Sequence, residues 1–350
     1  MKYYITPNEV YTRHSEGDFI TLNDGSILFA YSRFHGGKAD GAPCDIVGIL
    51  SQDKGETWSE SYVMISAETF GVSNVMSVSF MRMQNGDLGV FFIAKFVPGH
   101  SKVILARSND EGKTFYKNTE CTYNQIASYY VLNNSRVIRT QSGRIIIPLA
   151  CHGSGVNSAG EEFFNQHASV MFLFSDDDGE TFERLPCTLT GPINSKSGLQ
   201  EPGIIELKNG VLWAYFRTDM MYQYESYSMD GGQRWTTPQP SRFTSPCSPM
   251  KIARDKETDM LVAIWNPIPR YNGRKFGISD RTPFVWAISY DDGRTWGEAS
   301  LIEDDYNRGF CYPAIHFLGN GEMLISYCSG GEKDGTILSR TTINKIKYRD

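Results

Sequence analysis

The stretch SQDKGETW at residues 51–58 recurs along this chain and decides its fold. Its pattern, Ser-x-Asp-x-Gly-x-Thr-aromatic, returns at residues 108–115, 175–182 and 289–296, and at 228–235 with Arg234 in place of the Thr. In a tight turn, Asp and Ser side chains bond backbone amides, Gly supplies a positive φ, and an aromatic ring covers the underside. We therefore interpret these five boxes as structural hairpin turns and not as a catalytic motif.

A second repeat, a Gly turn followed by an apolar strand, runs out of phase with the boxes. It occurs at Gly25, Gly86, Gly143, Gly210 and Gly321, with a degenerate copy at Asp259. A box follows every turn except the last, at Gly321, so each unit of 50 to 65 residues holds two hairpins, or four strands. Such units are typical of propeller blades. The sequence thus predicts an all-β, six-bladed propeller forming a single domain over residues 1–350, with four-stranded antiparallel blades. The last blade has no box, and we expect residues 336–343 and the N-terminal residues 3–11 to supply its outer strands.

Composition excludes several functional classes. The net charge is −6, and the 34 basic residues are scattered among 40 acidic ones, which argues against a nucleic-acid partner. No apolar run reaches the length of a membrane span, and no secretory signal is visible, so we expect a cytoplasmic protein unless a leader was removed. Seven cysteines without CxxC spacing argue against a disulfide framework and a zinc site, and neither metal nor cofactor is expected.

The boxes and blades resemble those of the sialidase (neuraminidase) superfamily, over essentially the whole chain. The resemblance implies a general acid on the loop that leaves the first blade after Arg33, where Asp40 is the first candidate and Asp45 the second. Arg33 itself is a candidate substrate-binding residue. In the fourth blade, Glu201 stands 16 residues before Arg217, as in the family pattern.

The later blades supply the remaining candidates that the resemblance implies. Arg281 opens the strand that runs into the fifth box, and Tyr312 stands in the last blade where the family has its catalytic tyrosine. Tyr312 would be the nucleophile and Glu201 its base. A neutral phenol avoids repulsion from the carboxylate on the anomeric carbon of a sialic acid, and a Tyr nucleophile is a recognised exception to the two-carboxylate rule.

The other roles follow from the same resemblance. Asp40 would protonate the leaving oxygen and then activate water. Arg217 and Arg281 would hold the substrate carboxylate through bidentate bonds. The predicted activity is that of a retaining exo-glycosidase that hydrolyses a terminal sialic acid or related 2-keto-3-deoxy sugar acid from a glycan.

The chain departs from the family pattern at the first arginine of the carboxylate-binding triad. Ten residues before Gly25 stands Ser15; Arg13 is two positions away, and Glu16 brings a negative charge where a positive one is expected. Glu16 is therefore a candidate for binding hydroxyl groups of a different sugar. Two alternatives stay open: a sialidase-like glycosidase acting on a non-sialic sugar, and a carbohydrate-binding propeller without turnover.

Further polar residues stand beside predicted inner strands and could line the same mouth. Asn134 is included among the substrate-binding candidates. The remaining residues of this kind are Asn74, Ser77, Lys95, Asn133, Arg136 and His152.

Overall fold

The computed structural model describes residues 2–97, 99–156, 160–268 and 280–349, and this part of the chain forms six β-sheets in a propeller ring. β1 (Lys2–Ile5) precedes the first blade. Blade 1 holds β2 (Tyr11–Thr21), β3 (Ile27–His35), β4 (Cys44–Ser51) and β5 (Tyr62–Ile65). Blade 2 holds β6 (Val75–Arg82), β7 (Leu88–Val97), β8 (His100–Ser108) and β9 (Lys117–Glu120). Blade 3 holds β10 (Tyr129–Val131), β11 (Ile138–Arg139), β12 (Ile145–His152), β15 (Ser169–Ser175), β16 (Glu183–Arg184) and β17 (Leu189–Thr190). Between β12 and β15 the chain forms a separate two-stranded hairpin of β13 (Ser154–Val156) and β14 (Glu162–Phe164).

The second half of the ring repeats this order. Blade 4 holds β18 (Gln200–Glu206), β19 (Leu212–Arg217), β20 (Tyr222–Ser228) and β21 (Gln239–Thr244). Blade 5 holds β22 (Lys251–Arg254), β23 (Leu261–Trp265), β24 (Phe284–Ser289) and β25 (Ser300–Glu303). Blade 6 holds β26 (Cys311–Gly319), β27 (Glu322–Cys328) and β28 (Thr341–Lys347). The two helices in the described residues are short 3₁₀ turns, Ala67–Phe70 and Glu332–Asp334, and neither is long or apolar enough to cross a membrane.

The predicted closure of the ring is confirmed. β1 pairs antiparallel with β28, with Lys2 opposite Asn344 and Ile5 opposite Thr341, so the N-terminal strand becomes the outer strand of blade 6. Joining the two ends of the chain in one sheet leaves no blade short of a strand and protects the edge of β28 from pairing with another chain.

The boxes form the turns between the third and fourth strands of blades 1 to 5, as predicted. In the first box, the hydroxyl of Ser51 donates to Asp53 Oδ1 at 2.8 Å and accepts from the Gly55 amide, while Asp53 accepts from the Thr57 amide at 2.9 Å. The same bonds recur in the other boxes, where the Arg234 side chain replaces the Thr hydroxyl at 2.7 Å from Asp230. The side chain of Trp58 packs against Phe19 and Phe29.

The hydrophobic core lies between blades. Six buried clusters each combine strands of two neighbouring blades, and the sixth joins Phe29 of blade 1 to Leu324 of blade 6. Because every inter-blade interface is apolar, the blades hold one another rigidly around the axis, where polar side chains can be placed at fixed distances.

Candidate active site

A cavity of about 750 Å³ opens at one end of the propeller axis. Side chains from all six blades line it, among them Glu16, Ser77, Asn133, Glu201 and Tyr312 from inner strands or their flanks. Box residues are not among those lining it, because the boxes turn at the opposite end of the blades. The cavity has the size of a small-molecule site.

At its base, Tyr312 and Glu201 form a buried pair across the ring. The Tyr312 hydroxyl donates to Glu201 Oε1 at 2.8 Å, and Arg217 Nη1 lies 2.9 Å from the same oxygen. Blades 4 and 6 supply the two residues, which are 111 positions apart in the chain. The geometry places a base within hydrogen-bond reach of a potential nucleophile.

The charges around the pair fix its protonation state. Burial raises the pKa of Glu201, but the guanidinium groups of Arg217 and Arg281 outweigh burial and hold it below its usual value. Burial, and then the charge of Glu201, raise the pKa of Tyr312 well above that of a free phenol. At neutral pH the pair is therefore a carboxylate and a neutral phenol, which suits a base and a nucleophile awaiting activation.

Arg217 and Arg281 share an anchor on Cys247. Arg217 Nε lies 3.2 Å from the Cys247 sulfur, and Arg281 Nη2 donates to the Cys247 carbonyl at 3.2 Å. The Arg281 guanidinium also lies 5.7 Å from the centre of the Tyr312 ring. Both arginines line the cavity, so two guanidinium groups stand beside the Tyr312 hydroxyl and can bind an anionic group there.

Bulges in the inner strands aim these side chains into the cavity. Glu16, Ser77, Glu201 and Tyr312 have φ between 43° and 65°, a region that non-glycine residues rarely occupy. Each stands where the pairing of the first two strands of its blade shifts register. A bulge re-aims a side chain that the regular pleat would direct at the neighbouring blade, which explains how four unrelated residues converge on the axis.

On the opposite side of the cavity, Arg13 binds two carboxylates. Its guanidinium is buried, with Nη1 2.6 Å from Asp40 Oδ1 and Nη2 3.2 Å from Glu16 Oε2. Arg13 Nε donates to the Ser15 hydroxyl at 3.0 Å, and its Cζ lies 4.3 Å from the Phe34 ring centre. Arg13 is therefore held by residues of its own blade and does not line the cavity.

The two carboxylates that share Arg13 differ in their electrostatics. Burial raises the pKa of Glu16, although Arg13 opposes the shift. Burial also opposes ionisation of Asp40, but Arg13 outweighs it and lowers the pKa of Asp40 below its usual value. The Asp40 side chain is 64% exposed and the Glu16 side chain is 6% exposed, so Asp40 is the one of these two carboxylates that contacts solvent.

Two candidates from the sequence lie away from the cavity wall. The guanidinium of Arg33 packs 4.1 Å from the Tyr11 ring centre and 3.3 Å from the Ser61 hydroxyl, and Arg33 does not line the cavity. Asp45, the second candidate for the acid, accepts from the Ala67 amide at 2.8 Å, where it holds the start of a 3₁₀ turn.

Asn134 lies outside the cavity and binds the backbone that forms the cavity wall. Its side-chain amide donates to the Gly17 carbonyl at 2.8 Å and to the Tyr312 carbonyl at 3.3 Å. It is fully buried, so it fixes the bulges of blades 1 and 6 relative to each other and does not reach the cavity.

Of the other polar residues predicted at the mouth, three line the cavity and three do not. Ser77, Asn133 and His152 line the cavity. Lys95 and Asn74 fasten the Asp40 loop, since both donate to the Asp40 carbonyl, Asn74 at 3.1 Å. The last member of the group, Arg136, is buried against Tyr215. In the part of the chain that the structure describes, no cluster of three or more His, Cys, Asp or Glu residues could hold a metal ion.

Several residues of the cavity were not predicted from the sequence. Tyr129 and Phe164 come from β10 and from the β13–β14 hairpin, which no repeat predicts. Asp219 follows Arg217 by two residues and accepts from the Ser195 hydroxyl at 2.6 Å and from the Lys196 amide at 3.0 Å, so it orders the loop before blade 4. The nearness of Asp219 to Arg217 in the sequence was the available clue.

Comparison with known proteins agrees with this architecture. The model of the BNR repeat-like domain matches residues 25–325. No curated protein sequence matches the chain. Among solved structures, a protein of unknown function from Dyadobacter fermentans is similar, with 17% identity and a TM-score of 0.73 over 99% of this chain and 98% of that one.

Two further structures are named for an activity. A Hadza microbial sialidase has 18% identity and a TM-score of 0.74, over 99% of this chain and 68% of that one. The intramolecular trans-sialidase from Ruminococcus gnavus, in complex with oseltamivir carboxylate, has 13% identity and a TM-score of 0.65, over 98% of both chains. At such identities the likeness shows the fold, and it confirms the sialidase-like Asp-box propeller that the sequence predicts.

Proposed function

Since the chain belongs to the BNR repeat-like domain family, whose match over residues 25–325 covers blades 2 to 5 and parts of blades 1 and 6, we propose that it is a retaining exo-glycosidase. Its substrate is a glycan that ends in a sialic acid or related 2-keto-3-deoxy sugar acid. The observation that carries the proposal is the Tyr312–Glu201 hydrogen bond of 2.8 Å beside two cavity-lining arginines. Binding alone needs no buried base on a phenol, so this pair favours an enzyme over a carbohydrate-binding propeller without turnover.

In the first step, Tyr312 Oη attacks the anomeric carbon while its proton passes to Glu201. The bond from the anomeric carbon to the leaving oxygen breaks, and that oxygen takes a proton from an acid on the cavity rim. In the second step, water attacks the same carbon from the face that the leaving group vacated, the bond to Tyr312 breaks, and the proton returns from Glu201. Two inversions give net retention.

Asp40 is the proposed acid and base at the rim because it is an exposed carboxylate that lines the cavity beside Glu16 and is held there by Arg13. Its lowered pKa suits the second step, in which it takes a proton from water. The first step needs a proton donor, and Glu16, with its raised pKa, is a second candidate for that role. The Arg13 guanidinium binds both carboxyl groups, so it can stabilise whichever of the two is ionised as their protonation changes.

A second candidate function is favoured by the position of Arg13. The residue at the bulge of blade 1 is Glu16, and the nearest arginine is bound to two carboxylates. Two guanidinium groups, Arg217 and Arg281, then remain for a substrate carboxylate. A related glycosidase that takes a sugar with hydroxyl groups facing Glu16 agrees with this arrangement.

A panel of 4-methylumbelliferyl glycosides tests the proposal. It contains N-acetylneuraminic acid, two other 2-keto-3-deoxy sugar acids and uncharged hexoses, and each is assayed with wild type and Tyr312→Phe. We expect release from an acidic sugar by the wild type alone, with the retained anomer as the first product in ¹H NMR. Release from an uncharged hexose alone favours the second candidate, and no release from any glycoside, or equal release by Tyr312→Phe, refutes the proposed mechanism.

A further inference from the structure

Two cysteines face each other beside the proposed nucleophile, and the mechanism above uses neither of them. Cys311 on β26 directly precedes Tyr312, and in the antiparallel register it stands opposite Cys328 on β27. In the strands that the structure describes, no other cysteine is paired with a cysteine. Two thiols placed in this way are a candidate site of oxidation, since one can attack an oxidant and the other can resolve the product.

The backbone holds the two cysteines at a separation that a disulfide can span. Directly opposite residues of an antiparallel pair have Cα atoms about 4.5 to 5.5 Å apart, which lies within the range of about 4.4 to 6.8 Å found across disulfides. The two side chains also pack with Tyr312 in one small buried cluster. A bond between the sulfurs therefore requires no rearrangement of the two strands.

The two thiols differ in acidity, which gives them different roles. Burial raises the pKa of Cys311, but the hydrogen bond with the Cys328 thiol and the charge of Arg281 outweigh burial and hold this pKa below its usual value. Burial, and then the hydrogen bond with Cys311, raise the pKa of Cys328 well above that of a free thiol. Because the thiolate is the reactive form, Cys311 is the thiol that attacks the oxidant and Cys328 is the one that resolves the product.

A small oxidant can reach the pair from the cavity. Both thiols are buried, with 0% and 1% of the residues exposed, but Tyr312 and Leu338, which pack against them, line the cavity. Leu338 is half-buried and lies in the connection between β27 and β28, so its side chain can turn aside as fast as rotamers change. Hydrogen peroxide is little larger than water and can pass through such an opening.

We propose that Cys311 and Cys328 form a modification site at which hydrogen peroxide converts two thiols into a disulfide. In the first step the Cys311 sulfur attacks one peroxide oxygen, the O–O bond breaks, and Cys311 becomes a sulfenic acid as one water leaves. In the second step the Cys328 sulfur attacks the sulfenic sulfur, the S–O bond breaks, and a second water leaves. The thiols lose two electrons in total and the peroxide gains them, so no further reactant is needed.

The disulfide would change the part of blade 6 that carries Tyr312. It closes the loop from Cys311 to Cys328, and a disulfide that closes a loop of about 15 residues restricts the unfolded chain enough to stabilise the fold. The Cys311 sulfur also gives up its hydrogen bond with Arg281, which lines the cavity. None of these steps requires turnover of a glycoside, so the test of this inference is independent of the proposed function.

Mass spectrometry after peroxide treatment tests the site. Reduced protein is exposed to excess hydrogen peroxide under native conditions, free thiols are blocked with N-ethylmaleimide, and the digest is analysed without reduction. We expect most of the protein to give peptides joined through Cys311 and Cys328, and dithiothreitol to restore the two thiols. Cys187→Ser, which removes a half-buried cysteine that does not line the cavity, is the matched control and should give the same cross-link. A cross-link between other cysteines, or one that forms only in urea, overturns the proposal.

Variants of Cys328 test the two roles. Without the resolving thiol, Cys328→Ser and Cys328→Ala should stop at the sulfenic acid on Cys311, which dimedone traps, and oxidation should leave their Tm unchanged. Wild type and Cys187→Ser should gain about 5 °C in Tm on oxidation. A dimedone adduct on another cysteine contradicts the assigned order of attack, and no gain in the wild type means that the bond strains the sheet; either result overturns the proposal. If neither Cys328 variant folds, the position of the cross-link in the wild type decides.

Discussion

Replacing Glu201 by Gln removes one negative charge from the site while keeping its shape. The oxygen that accepts from Tyr312 at 2.8 Å and from Arg217 at 2.9 Å can remain in place. The new amide nitrogen would take the position of Glu201 Oε2, which is buried and has no hydrogen-bond partner among the described residues. The substitution therefore tests the charge and not the hydrogen bond.

The structure gives the size of two effects. Arg217 and Glu201 are 17% and 10% exposed at their side chains, so Arg217 would become a nearly buried cation without its partner. Breaking a buried pair costs about 3 to 5 kcal/mol, and we expect about 3 kcal/mol of lost unfolding free energy because the hydrogen bonds survive. Loss of the base should lower kcat about 10²- to 10⁴-fold. The comparison variant Tyr312→Phe should lose about 1 kcal/mol of stability, because it removes a single hydrogen bond and leaves the ion pair intact.

The pH profile separates a base from a purely structural carboxylate. Burial raises the pKa of Tyr312 first, and the charge of Glu201 raises it further, so Glu201→Gln should lower that pKa. A larger fraction of the phenol then ionises as pH rises, and activity of the variant should recover partly at high pH while wild-type activity does not rise. Urea unfolding and initial rates from pH 5 to 10 measure both effects. Wild-type stability together with kcat within tenfold of wild type would refute the assigned role of Glu201.

Three other changes test the rim, the turns and the response to acid. Asp40→Asn should lose far more kcat/KM on glycosides with poor leaving groups than on activated aryl glycosides, and if Glu16→Gln shows that difference instead, Glu16 is the acid. Trp58→Ala should lower the unfolding free energy by about 3 kcal/mol through lost packing, with kcat unchanged, and a change of kcat at wild-type stability would contradict a structural box. Burial, and then the charge of Arg33, lower the pKa of His14 to about 4, so protonation of His14 favours the unfolded chain. As the pH falls from 7.5 to 5, this group should therefore reduce the unfolding free energy by about 2 kcal/mol. His14→Gln should flatten that part of the pH dependence in urea unfolding, and an unchanged slope would contradict the assignment.

The architecture could be predicted because its signals are local. The hydrogen bonds that form the turn at residues 51–58 all lie within the box, so these eight residues are enough to predict the turn. The number of Gly turns fixed the number of blades, and the missing sixth box indicated that the N-terminal strand must complete the last sheet. The β13–β14 hairpin has neither signal and was not predicted.

The site was less accessible to sequence reasoning because side-chain direction depends on bulges. β2 shifts register twice, between Tyr11 and Arg13 and again between Ser15 and Asp18, and each shift reverses the alternation of faces. Counting along the strand therefore could not tell that Glu16 faces the cavity while Arg13 lies behind it. For the same reason, Arg33 could be assigned to the right strand without knowledge of the face on which its guanidinium lies.

The negative charge of an ionised Glu16, at the bulge of blade 1, restricts the orientation in which an acidic substrate can bind. A carboxylate beside an ionised Glu16 would meet a like charge, and at about 4 Å near a protein surface such a contact is unfavourable by about 4 kcal/mol. The same carboxylate beside Arg217 and Arg281 is attracted by two guanidinium groups on the opposite side of the cavity. An acidic sugar would therefore bind with its carboxylate towards blades 4 and 5, and a hydroxyl that faces an ionised Glu16 would donate a hydrogen bond to it. Arg13 binds both Glu16 and Asp40, so under the proposed mechanism the residue facing that hydroxyl would be electrostatically coupled to the proposed acid at the leaving oxygen.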